Sequence, residues 1–345
     1  MAKTGGRVHF VGSLGLPDAE TAFRMLGERI GSRATRYPDG EPGERAYWIR
    51  WQNTVFASHP DLELIEERMI EGYKDAKARP AYRLRDGVDP QSMTIDKLGY
   101  AEAALASWAV FKRLRDEGVV PAGTRFQLCL PSCAALLTSF FPGDQAVLVE
   151  PALEDAMRRE VEAAAAGIPA GDLAIQWDVA YEIIAIDGGQ PPLYYADPLA
   201  GSVERLVRQL GWVPAGVEAG VHLCYGDPGH KHVIEPKDLG TCVALSNAIC
   251  AQATRPVNWM HMPVPRDRRD DAYVAPLEGL VLNPETELYI GCIHFTDGAA
   301  GTSARIDAAG KHASGFGLAT ECGFGRRDPE TIPALLDIHA EVLGS

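Results

Sequence analysis

Gly220-Val221-His222-Leu223-Cys224-Tyr225-Gly226-Asp227 is a short apolar run that stops at a glycine. A β-strand turns successive side chains to opposite faces, so this run puts His222 and Cys224 on one face, where strand gives way to loop. Thr320-Glu321-Cys322-Gly323-Phe324 has the same form near the C-terminus. Whether such runs recur along the chain decides the fold.

Moving outward, Leu173-Ala-Ile-Gln-Trp177 reads as a strand ending in Asp178, followed by a helix over Val203 to Leu210 that Gly211 stops. Phe126-Gln-Leu-Cys-Leu130 is the strand before it, and the helix over Ala152 to Ala166 ends in the stop signals Gly167 and Pro169. On the other side, Val257 to Met262, Leu288 to His294 and Gly317 to Thr320 read as strands, and Pro333 to Val342 as a closing helix. Towards the N-terminus, Val8-His-Phe-Val-Gly12 is an apolar run closed by Gly12-Ser13. Asp18 caps a helix reaching Ile30, with Ala22, Phe23, Leu26 and Ile30 on one face. Arg36-Tyr-Pro-Asp-Gly-Glu41 is a weaker second strand.

Strands alternating with helices predict an α/β fold, and eight of them predict a (β/α)8 TIM barrel rather than an open doubly wound sheet. One barrel domain is expected over residues 1–345, with a helical insertion after the first strands at about 45–118. Helices at Pro60 to Lys74 and Ile95 to Glu117 would form that insertion and pack over the barrel mouth. Trp48, Trp51 and Phe56 are read there as core rather than ligand-stacking groups. In such barrels the active site lies at the C-terminal ends of the strands. Ser13, Asp178, His222, Cys224, His261, His294 and Cys322 all fall at those ends.

Composition narrows the partners. A formal charge of −14 argues against nucleic acid and anionic membranes, and Arg266-Asp-Arg-Arg269 is interleaved with acid and reads as a solvated loop. No window approaches the roughly 20 apolar residues of a membrane span, and no basic-flanked apolar leader opens the chain, so a cytoplasmic protein is expected. Seven cysteines without regular spacing make no disulfide framework. Cys129, Cys133, Cys242, Cys250 and Cys292 lie in apolar stretches and read as core thiols. Phosphate-cradling P-loop, dinucleotide and serine-hydrolase motifs are absent, and Gly315-Phe-Gly317 does not make a dinucleotide fingerprint.

Two soft donors on one strand face, joined by Cys322 from a distant strand, suit tetrahedral zinc. The alternative is a core cysteine beside a satisfied histidine.

Taken in order, Phe10-Val-Gly-Ser13, Ile175-Gln-Trp-Asp178, His222-Leu-Cys224, Gly291-Cys-Ile-His294 and Glu321-Cys-Gly323 resemble the successive active-site motifs of the cobalamin-independent methionine synthase family. The resemblance is to its zinc-bearing C-terminal barrel and runs from residue 8 to the end of the chain. It implies zinc at His222, Cys224 and Cys322, and a small-molecule thiol activated as a zinc thiolate for alkyl transfer, most simply of a methyl group. By the same resemblance Asp178 recognises the amino group of an amino-acid thiol, Gly12 and Ser13 hold its carboxylate, and His294 protonates the leaving nitrogen. Beside these roles stand a cap for Asp178, a turn for Ser13 and a hydrogen-bonded core position for His294.

The chain departs from the family pattern in several places. The family's usual fourth zinc ligand is a glutamate at the end of the sixth strand, and Trp259-Met-His-Met262 offers His261 there. His261 is a ligand, a substrate contact, or a residue that leaves the position to a thiol or water. Gly226 to Pro236 follows the ligand pair as an inserted segment whose His230, His232 and Glu235 bind an anionic substrate, supply an alternative ligand, or form a polar loop. The segment Phe295 to Gly301 after His294 also differs.

Full-length family members carry a second barrel for the folate tail. One-barrel relatives use other methyl donors, and more distant ones, the epoxyalkane:coenzyme M transferases, open epoxides with a thiol. The alkyl donor therefore stands open among a folate, a corrinoid, and an ether or epoxide. A homo-oligomer is compatible with all of these. The competing functions are a lyase or ether-cleaving enzyme using glutathione or another thiol, a uroporphyrinogen decarboxylase-like barrel, and a non-catalytic zinc- or corrinoid-binding partner protein.

Overall fold

The apolar runs around Cys129, Trp177, Val221, Met260, Ile290 and Leu318 become the staves of one parallel sheet in the computed structural model, which describes residues 4–68, 79–227 and 231–344. In chain order the strands are β1 (Arg36–Pro38), β2 (Leu62–Arg68), β3 (Arg79–Leu84), β4 (Arg125–Pro131), β5 (Leu173–Val179), β6 (Glu218–Leu223), β7 (Trp259–Pro263), β8 (Glu287–Ile293) and β9 (Gly317–Thr320). Seven of them form a sheet in the order β1-β4-β5-β6-β7-β8-β9, with every pairing parallel. Helices connect the strands, as parallel pairing requires.

The sheet is curled. Arg36 on β1 donates to Glu218 on β6 at 2.6 Å and to Glu287 on β8 at 2.9 Å, although two strands separate β1 from β6 in the ladder. This is a curled sheet consistent with a TIM-like barrel, in which residues of distant strands meet across the inner face. The lumen is packed with side chains: His9 lies against Trp259 and Tyr289, and its Nε2 is 2.7 Å from Gln176 Oε1. Gly220 makes room for the Trp259 indole, because a Cβ at that position would lie 2.0 Å from the ring.

The run Val8 to Gly12, expected as a first strand, makes isolated bridges instead of a ladder. Val8 bridges Leu318 of β9, and Ser13 bridges Gly40 just beyond β1, so the segment spans the gap between the two sheet edges. The physical reason lies in its carbonyls. Phe10 O accepts from Gln127 Nε2 at 2.8 Å and Val11 O from Gln176 Nε2 at 2.6 Å, so lumen side chains take the acceptors a neighbouring strand would use.

The expected insertion is only partly helical. Leu62–Arg68 is a strand rather than the start of a helix at Pro60, and it pairs antiparallel with β3. Leu62, Tyr82 and Leu84 are buried from this pair, with Phe56 and Phe141 packed against Tyr82 and Phe140 against Phe56, so tertiary pairing overrides a glutamate-rich local preference. Residues 69–74 of the expected helix lie outside the described residues. The second expected helix is present as Tyr100–Asp116, preceded by Gly99 in a left-handed conformation.

Elsewhere, Asp18 caps Ala19–Arg29 by accepting from Thr21 N at 2.7 Å. The helix expected from Ala152 begins earlier, spanning Gly143–Gly167 across Pro151, and Pro198–Trp212 runs through Gly211. Cys133–Phe140 is a helix that was not anticipated, capped by Ser132. Among the described residues no helix is long and apolar enough to cross a membrane.

Candidate metal centre and its cavity

Register brings the soft donors together. Asp178, His222 and His261 are in register across β5, β6 and β7, and Cys224 follows directly on β6. Cys322 lies two residues beyond β9. His222, Cys224 and Cys322 each offer a donor atom, and these atoms lie within 4.8 Å of one another. His222 and Cys224 are buried and Cys322 is half-buried.

The two thiols hydrogen-bond to each other. That contact holds Cys322 below the ordinary thiol range and pushes Cys224 up. Arg326 stands over the pair: its Nη2 lies 3.8 Å from Cys322 Sγ and 2.9 Å from Asp227. The other five cysteines are buried core thiols, as expected.

The donors line a cavity of about 340 Å³, which also exposes Ser13, Glu41, Trp48, Arg79, Asp178 and Arg326. Burial pushes the Asp178 carboxyl well up, against a 2.9 Å hydrogen bond from Gln176 Nε2. Burial likewise raises Glu41, and the charge of Asp178 adds to it. Glu41 and Trp48 both have positive φ, 48° and 57°, and they flank the turn Gly43–Tyr47. Non-glycine residues in this conformation mark a backbone held by its surroundings, and both project into the cavity wall.

Ser13 is tied to the Cys322 loop. Phe324 N donates to Ser13 O at 2.6 Å and Gly325 N to Ser13 Oγ at 3.2 Å. A Cβ on Gly323 would strike Ser13 Oγ at 2.4 Å, so glycine there is what lets the loop close on Ser13. Gly12 stands one residue earlier, where a Cβ would meet Glu41 at 3.0 Å.

His261 is fully buried and outside the three-donor group. Its Nδ1 is 2.8 Å from His222 Nδ1 and its Nε2 is 2.9 Å from Thr320 O. His294 is buried and is not among the residues that line this cavity. Its Nε2 meets Val264 O at 2.9 Å, and its Nδ1 faces Glu321 at 3.6 Å. Glu321 also meets His232 Nε2 at 3.0 Å, and His232 Nδ1 lies 3.3 Å from Glu235. Burial alone would lower His232, but these two carboxylates raise it to about 9. His230 lies outside the described residues.

Sequence reasoning missed Glu41, Trp48, Asp227 and Arg326. For Glu41 a signal existed, since Asp39-Gly40-Glu41 closes the second strand and so falls at the same end as Asp178. Trp48 had none, because its place depends on the turn around it.

The fold class these observations define is a curled parallel α/β sheet with a soft-donor site at its C-terminal end. It is similar to solved B12-independent methionine synthases. One from Shewanella sp. W3-18-1, in complex with selenomethionine, matches with a TM-score of 0.60 at 12% identity, over 99% of this chain and 97% of that one. A candidate vitamin-B12 independent methionine synthase from Listeria monocytogenes matches at 0.54 and 15%, over 94% and 86%. A methyltransferase from Methanosarcina mazei gives 0.50 and 13%, over 97% and 94%. No protein-family model matches the chain, and no curated protein does. At these identities the likeness is one of fold.

Proposed function

We propose that this chain is a methionine synthase-like thiol alkyltransferase, most simply a methyltransferase, that holds zinc with His222, Cys224 and Cys322. The observation that carries this reading is the gathering of these three donors on the wall of one cavity with the buried carboxyl of Asp178. Two sulfurs and an imidazole nitrogen make a donor set zinc takes at catalytic centres, with one position left for substrate. Zinc, when bound, supplies Lewis acidity that lowers the pKa of an incoming thiol.

The chain's own residues do the positioning. Asp178, with Glu41 beside it, accepts hydrogen bonds from the ammonium of an amino-acid thiol. Gly12 and Ser13 hold its carboxylate at the end of the bridged segment, which we read as the eighth stave of a single (β/α)8 barrel domain. Trp48 and the turn before it cover the cavity against water. His294 is our proton donor to the leaving group: its Nε2–H is given to Val264 O, so the role falls to Nδ1, which carries a proton when the ring is charged and faces Glu321 at 3.6 Å.

A second reading has a thiol such as glutathione attacking a carbon that bears oxygen. Arg50, Arg79 and Arg326 on the cavity wall suit the carboxylates of such a cosubstrate.

Zinc K-edge absorption with and without a panel of thiols, followed by assays against methyl donors, epoxides and aryl ethers, tests both. We expect stoichiometric zinc, an added sulfur scatterer with an amino-acid thiol such as homocysteine, and a methylated product. Protein without zinc, or Cys322→Ala protein that keeps both zinc and activity, overturns the proposal. Product from the oxygen electrophiles alone replaces methyl transfer with the second reading.

A further inference from the structure

His261 occupies the position where a fourth protein ligand is expected, yet the structure gives both of its ring nitrogens other work. A carbonyl oxygen can only accept, so His261 Nε2, 2.9 Å from Thr320 O, carries a hydrogen and donates it. That contact exists because residue 291 is glycine: a Cβ there would lie 2.7 Å from His261 Nε2 and 2.8 Å from Thr320 O. The other ring nitrogen, Nδ1, faces His222 Nδ1 at 2.8 Å, and two nitrogens so placed hold one hydrogen between them. Were it on His261, that ring would carry both hydrogens and a full charge in a site with no exposed surface. The hydrogen therefore belongs to His222 Nδ1, which leaves the lone pair of His222 Nε2 bare.

We infer that His261 is a positioning residue rather than a ligand: it fixes the ring and tautomer of His222, so that three protein donors face the cavity and the fourth position is left to a cavity molecule. This inference rests on the zinc reading above. Through Thr320 O it also ties β7, the strand beside His222, to β9, the strand that leads into Cys322. The ring that orients one ligand thus anchors the stem of another, an arrangement typical of hydrogen-bond partners behind metal-binding histidines.

The test uses zinc alone on the full-length chain. In the wild type, K-edge absorption shows two sulfurs and a single imidazole. His261→Phe removes both hydrogen bonds and weakens the zinc Kd, measured by chelator competition, by about 10- to 100-fold. His261→Gln, which still accepts from His222 and donates to Thr320, stays within about 3-fold of wild type, below the range for losing such a partner. Two imidazoles in the wild-type spectrum, an unchanged Kd in folded His261→Phe, or a His261→Gln as weak as His261→Phe each overturns the inference while leaving zinc binding standing. A wild-type chain that binds no zinc overturns the metal reading and this inference together. Should His261→Phe fail to fold, the wild-type imidazole count and the His261→Gln affinity decide.

Discussion

Where the strands of the parallel sheet begin, Arg36 sits between Glu218 and Glu287, Arg125 holds Glu218 from the other side, Arg7 holds Glu287, and the Arg36 guanidinium lies 4.3 Å from the Trp259 ring centroid. Where the same strands end, Asp178 and Glu41 bring two carboxyls to one cavity wall, two thiols share a hydrogen, and two imidazoles share another. One end meets charge with opposite charge. The other sets pairs of like groups around a cavity, with the Arg326–Asp227 ion pair beside the thiols. The first arrangement is satisfied by ion pairs within the protein, whereas the second lines a cavity, and so we place the proposed chemistry at the strand ends.

Each end of the sheet can be perturbed on its own. The largest effect is expected at the thiols: Cys224→Ser or Cys322→Ser abolishes stoichiometric zinc, read by metal analysis, while the urea midpoint of the metal-free protein stays near wild type. At the opposite end, Arg36→Met is expected to cost about 3 kcal/mol in urea unfolding, the low end for breaking a buried ion pair, because Arg125 and Arg7 still hold the two glutamates. Its zinc Kd should not change. A zinc defect in Arg36→Met would mean that the two ends are mechanically coupled.

Glu182, three residues past the end of β5, is a buried acid of another kind. It lies on the helix Tyr181–Ile186 after β5, is 1% exposed, and burial raises its carboxyl to about 7 from an ordinary 4.5. The folded state therefore holds this proton more tightly than the unfolded chain, so stability is full below about pH 4.5 and is lost as pH rises towards 7. Glu182→Gln should remove about 3 kcal/mol of that loss, so that it exceeds wild type in unfolding free energy at pH 8 but not at pH 4.5. Equal stability at pH 8 would show that Glu182 has a partner that keeps it ionised. The smallest effect is on the outer layer, where Asp18→Ala should cost about 1 kcal/mol by uncapping Ala19–Arg29 and leave zinc binding untouched.

Much of this contrast was legible in the sequence because it follows from period two. His222 and Cys224 share a face in any strand, and the apolar runs ending at Asp178, Cys224 and Thr320 place their side chains at one end of a parallel sheet. The rest depended on distant pairing. Leu62–Arg68 reads as helix until Arg79–Leu84 is laid beside it, and Val8 to Ser13 reads as a full strand until Gln127 and Gln176 take its carbonyls. Glu41 and Trp48 need a turn with positive φ to reach the cavity, which no periodicity reveals. His294 was expected at the same strand ends; its Nε2 is bonded to Val264 O, a partner on a distant segment that no local pattern reveals.

Gly291 carries no functional group, so an inventory of reactive residues passes over it. It nevertheless leaves the gap through which His261 reaches Thr320, and a single added methyl would force those two strands apart or turn the imidazole away. Sequence drift at this site would thus be limited by the packing of two strands and by the orientation of one imidazole at once. An alanine tolerated at position 291 in a related chain would mark a centre built on a different arrangement of donors.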